Sequence, residues 1–181
     1  MTPEAKIRRH GYHLMSLASL GFAGVAVFGL LLVAMPWLPD WNPQWSGWNV
    51  AGVEWKRAVG MDEAGKLLLS LSSAMWTIAY LVPLMALRRL GHRLYSNDAL
   101  SRPVADAFRW LAHSLPLHAL LRVAAGLLAG IAAEVDGAQE QHFTLDFSGG
   151  YVFLIACLCL YSVAHLMRLA TDAAADARSI V

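Results

Sequence analysis

One arginine and a scatter of histidines are the side chains that could do chemistry in this chain. Arg122 is the only formal charge in the run from Leu115 to Ala133. A charge inside such a run costs about 2.5–3.5 kcal/mol on insertion scales, which makes it a functional candidate by default. His118 and Gly126 lie one turn to either side of it. Four-residue steps drift by only about 40° on an α-helix, so the three share a face, which we expect to point into a helix bundle. Gly126 and Gly130 frame the small-xxx-small segment Gly126-Leu127-Leu128-Ala129-Gly130, a pattern that lets a second helix approach closely. The competing reading has Arg122 about 10 Å from the near end of its run, snorkelling to phosphate or capping carbonyls.

The histidines raise a second chemistry. His13, His113, His118 and His165 all map toward the same half of their apolar runs, and imidazoles from facing helices can ligate haem or a metal. The chain has no His-x-x-x-His pair, no HExxH and no carboxylate at ligand spacing. We therefore expect no cofactor and no metal, and keep a haem- or metal-binding redox bundle as the alternative. Cys157 and Cys159, two residues apart, point in different directions and do not form a mutual disulfide. The motifs GxGxxG, GxxxxGK[ST] and GxSxG are absent, so no nucleotide or acyl-transfer chemistry is legible and the chain does not read as an enzyme.

The elements that must position these residues follow from hydropathy. Of 181 residues, 57% are hydrophobic and 15% charged, with a mean hydropathy of +0.48. A soluble domain carries about 25% charge, so this chain lacks the polar surface that water requires. Four runs are long enough to cross a bilayer, which takes about 20 apolar residues: about 12–35, 67–87, 115–133 and 147–169. The first is longer than a signal-peptide core of about 7–15 residues and reads as a retained helix. Ser70, Ser72, Ser73 and Thr77 on the second can bond their own backbone or a neighbouring helix. The expected fold is all-α, a single four-span transmembrane helix bundle.

Between the first two runs lies a loop with Pro36, Pro39, Pro43 and five tryptophans, Trp37, Trp41, Trp45, Trp48 and Trp55. Tryptophan concentrates at the membrane–water boundary, so this Trp-rich outer loop reads as a surface anchor. From Pro103 to about Leu115, Val104, Phe108, Leu111 and Leu115 recur at helical spacing, while Arg102, Asp106, Arg109 and His113 take the other face. That predicts an amphipathic helix suited to the membrane surface or a partner, running on into the third apolar run.

Charge sets the orientation. Lys6, Arg8 and Arg9, then Arg88, Arg89, Arg93, Arg102 and Arg109, then Arg168 and Arg178 make up ten of the fourteen basic residues. Basic segments stay cytoplasmic, so both termini and the central loop are expected there, with the amphipathic helix on the same side.

Two stretches carry a resemblance. Tyr95 with Ala99-Leu100-Ser101, and the tail with Ala170, Asp176 and the closing Ile180-Val181, are similar to the bacterial four-helix membrane proteins of the domain of unknown function 2975 family. The resemblance implies a bacterial inner-membrane protein with no enzymatic activity, in a regulatory or accessory role beside a small helix-turn-helix regulator. The working surface is expected to be cytoplasmic. Arg88, Arg89, Arg93, Arg102 and Arg109 would bind a partner protein or lipid headgroups, without direct contact to nucleic acid. Transport of a small solute or ion is a further alternative, and four spans would need a homo-oligomer for it.

Overall fold

The computed structural model describes residues 3–38, 49–50, 53–96, 101–135 and 150–179, with side chains for 5–38, 58–96, 101–135, 155–173 and 176. Four long helices dominate: α1 (Pro3–Ala34), α3 (Glu63–Ser96), α4 (Arg102–Val135) and α5 (Gly150–Ser179). All four contain a stretch long and apolar enough to cross a membrane, and the fold is an all-α four-helix bundle. Between α1 and α3 come a 3₁₀ turn at Met35–Trp37, a two-residue antiparallel ladder of β1 (Asn49–Val50) with β2 (Val53–Glu54), and a short helix α2 (Trp55–Gly60). Asn49 pairs with Glu54, and Val50 with Val53. Trp41, Trp45 and Trp48, the side chain of Trp55, residues 136–149, and the closing Ile180-Val181 lie outside the described residues.

The helix starts have local causes. Asp62 caps α3, its Oδ1 accepting from the Gly65 N–H at 2.7 Å, and Glu63 follows at the positive end of the dipole. At α4 the Ser101 carbonyl accepts from Val104 and Ala105, while Pro103 occupies the first turn, where its missing N–H costs nothing.

One expectation changes. The arginines Arg88, Arg89 and Arg93 are helical, since α3 runs on to Ser96. The amphipathic stretch from Pro103 is the first half of α4 and runs on into the third apolar run, as expected. Hydropathy ended α3 too early because charge interrupts an apolar run without interrupting the backbone ladder. A 34-residue helix is about 51 Å long, roughly 20 Å more than a hydrocarbon core of about 30 Å. Those extra turns hold the charges.

By internal packing the chain forms two compact units. The first comprises Met1–Phe22, Val82–Leu117 and Asp146–Val181; the second, Ala23–Leu81 and His118–Leu145. In the first, Ala86 and Leu90 of α3 pack with Ala107 and Leu111 of α4, ringed by Leu14, Leu94, Phe108 and Leu160. The apolar face of the amphipathic stretch is therefore buried against the chain's own helices and is not offered to a partner. Here too α1 crosses α3 backbone to backbone. A Cβ on Gly91 would sit 2.6 Å from the Met15 nitrogen, and one on Gly11 would sit 2.8 Å from the Tyr95 nitrogen.

In the second unit Leu32, Met35, Ala58, Met61, Leu69 and Ala132 form the core. Polar ties join its helices. Ser72 donates to the Ala125 carbonyl at 2.7 Å, and Ser70 donates to the Val33 carbonyl at 3.0 Å. Val33 is in the last turn of α1, where carbonyls lack intrahelical donors. Trp37, the described member of the Trp-rich loop, donates its indole N–H to the same Ser70 oxygen at 2.9 Å.

Twelve of the nineteen buried apolar residues among those described are alanine, while Leu17, Leu20, Leu30 and Leu120 are exposed. Small inside and large outside is the pattern that helix packing in lipid favours.

Candidate functional site

Arg122 does share a face with His118, and both meet α3 rather than a carboxylate. The guanidinium lies 5.5 Å from the ring centroids of Trp76 and Tyr80 and donates to the Tyr80 hydroxyl. His118 packs edge-on to Tyr80, with centroids 5.0 Å apart. Trp76 and Tyr80 are one turn apart on α3, so both rings turn toward the same stretch of α4. Two cation–π contacts at about 0.5–2 kcal/mol each and a charged hydrogen bond at about 1.5–3 kcal/mol match the insertion cost of the charge. Arg122 as a whole residue is nonetheless exposed, so it meets α3 without being enclosed in the bundle interior.

His118 has a structural task. Its Nδ1 lies 2.7 Å from the Ala79 carbonyl; a carbonyl only accepts, so Nδ1 carries the proton. Within α3 that carbonyl would accept from residue 83, which is Pro83 and has no N–H. His118 supplies the missing donor. The signal was in the sequence, since every proline inside a helix leaves the carbonyl four residues earlier in need of a partner.

The glycine expectation fails at one position. Nothing described lies within 4 Å of a Cβ built on Gly130, and Gly126 is only half-buried. The buried face of α4 is one residue round, at Ala125, Ala129, Ala132 and Ala133. The close glycine contacts are Gly11 with Gly91, and Gly29 against Thr77.

The arginine surface is built on helices. Arg88, Arg89, Arg102 and Arg109 are exposed and Arg93 is half-buried. Arg89 lies over the Trp110 ring at 5.5 Å, and Arg102 reaches Asp172 of α5 at 3.4 Å. His113 is hydrogen-bonded to the Tyr161 hydroxyl. His165 lines a cavity of about 220 Å³ with Asp106, Arg109, Tyr161 and Arg168. Tyr161 was not legible as a polar partner, because it lies in an apolar run and meets His113 only through tertiary packing. Among the described residues no three His, Cys, Asp or Glu side chains gather as a metal site, and Cys157 and Cys159 are free thiols.

Compared with family models, with curated proteins and with solved structures, the chain matches none.

Proposed function

We propose that this chain is a non-catalytic, four-span protein of the bacterial inner membrane, with both termini cytoplasmic. Its working surface is the arginine-bearing end of α3 and α4. The observation that carries the reading is that Arg88, Arg89, Arg102 and Arg109 stand exposed on rigid helices whose apolar faces are already buried in the chain's own core. What remains outward is a cationic face of fixed geometry, suited to an acidic segment of a cytoplasmic protein. The resemblance noted above makes a small helix-turn-helix regulator the partner of choice, held at the membrane and released from it. The orientation rests on the distribution of basic residues.

The test is crosslinking and pull-down from native membranes, comparing the wild-type chain with Arg88→Glu/Arg89→Glu. A reporter after Ser96 verifies that the variant keeps its topology. One cytoplasmic protein captured by the wild type and lost from the variant is expected. No such protein, or equal capture by both, would overturn the proposal.

A further inference from the structure

In the first unit α4 and α5 face each other through a row of polar side chains closed at both ends. His113 bonds Tyr161 at one end, and Arg102 reaches Asp172 at the other. Residues 102 and 113 are eleven apart, as are 161 and 172, so the two contacts define one antiparallel register. Eleven residues make three helical turns, which keeps every member of the row on one face of its helix. In that register Arg109 stands opposite His165, and Asp106 stands opposite Arg168.

The middle of the row is open. Asp106, Arg109, His165 and Arg168 make no hydrogen bond or ion pair with any described residue. They line the cavity of about 220 Å³, floored by the buried Ala105 and Ala164. A second space of about 250 Å³ continues it along Arg102, Thr171 and Asp172.

We propose that this open middle binds the phosphodiester of a membrane phospholipid. Two guanidiniums and an imidazole against one carboxylate give the cavity an excess of donors and positive charge, and guanidinium forks match phosphate oxygens in pairs. Asp106 takes a hydroxyl or ammonium of the headgroup, a task that free phosphate would leave undone. The volume is below the roughly 300–1,000 Å³ of a pocket that engulfs a drug-sized ligand, so it holds a headgroup and leaves the tails outside. One turn past the His113–Tyr161 contact, Leu117 of α4 and Leu158 of α5 are exposed, offering apolar surface where acyl chains would lie.

The test uses the full-length chain in phosphate-free detergent, with native mass spectrometry counting retained molecules. Dioleoyl phosphatidylglycerol is titrated in parallel with diolein, which has the same tails without phosphate, and with inorganic phosphate as competitor. The expected result is one phosphatidylglycerol retained saturably per chain, no retained diolein, and no displacement by phosphate at equal concentration. Arg109→Gln and Arg168→Gln each weaken retention by about tenfold and together by about a hundredfold, since each removes one charge-assisted pair. Both side chains are exposed, so the single variants are read even if the double variant folds poorly. Arg88→Glu/Arg89→Glu, at residues that do not line the cavity, retains lipid as the wild type does, which separates this site from the part of the partner surface that α3 carries. Retention of diolein, or unchanged retention by both single variants, would overturn the proposal. Displacement by inorganic phosphate would overturn the lipid as ligand.

Discussion

Adding one methyl group at the crossing of α1 and α3 should destabilise the protein, although the same change elsewhere on α1 stabilises it. At Gly91 the new Cβ would lie 2.6 Å from the Met15 nitrogen, 2.8 Å from the Gly11 oxygen and 3.0 Å from the Met15 Cα. All three are backbone atoms, so no side chain can swing aside. Ordinary contact begins near 3.4 Å, so the two helices must separate by about 0.8 Å. A gap of that size forfeits about a quarter to a half of each dispersion contact it opens, and overpacking costs about 1–3 kcal/mol. Alanine returns about 0.8–1.0 kcal/mol through helix propensity, which leaves Gly91→Ala about 0–2 kcal/mol less stable, centred near 1. Gly24→Ala is the control: nothing described lies within 4 Å of its Cβ, so only the propensity gain of about 1 kcal/mol remains. The assay is reversible unfolding of the full-length chain in detergent, followed by circular dichroism. A Gly91→Ala variant stabilised as much as Gly24→Ala would refute the backbone contact, and with it the α1–α3 packing described above.

Three more predictions test other joints. His118→Leu leaves the Ala79 carbonyl without a donor and should cost about 1–3 kcal/mol; Pro83→Ala, by restoring an N–H on α3, should suppress most of that loss, and additive effects in the double-mutant cycle would contradict the pairing. Ser72→Ala removes a buried bond to Ala125 and should cost about 0.6 kcal/mol and no more than about 1.7 in the same unfolding assay, a larger loss pointing to a cavity instead. Arg102→Ala should leave stability within about 0.5 kcal/mol of the wild type, because the Arg102–Asp172 pair is 79% and 45% exposed and such pairs contribute little; a larger drop in midpoint would mean that the row between α4 and α5 is a structural clamp.

Hydropathy alone was enough to find the four long helices, because an uncharged run of spanning length has few other uses. It misplaced the end of α3. Arg88, Arg89 and Arg93 read as loop, since charge marks where lipid stops and says nothing about where the backbone ladder stops. The site was legible in part. His118 and Arg122 were correctly assigned to one face by spacing, yet their partners Trp76 and Tyr80 lie about forty residues away and leave no local signal. Gly126 and Gly130 looked like the packing motif, but Gly130 meets open space while Ala125 and Ala129 are buried. Rotation is set by all neighbours together, and no single segment encodes it. The polar row between α4 and α5 was half visible as Arg102, Asp106, Arg109 and His113, and only the facing helix gives it meaning.

The proposed function requires the charged ends of α3, α4 and α5 to lie in the cytoplasm, and reporter fusions along the chain test that most directly. Fusions after Asp40, Ser96, Gln141 and Val181 should read outside, inside, outside and inside in turn, because ten of the fourteen basic residues fall on the segments assigned to the inner side. A cytoplasmic reading after Gln141, or an external one after Ser96, would contradict it.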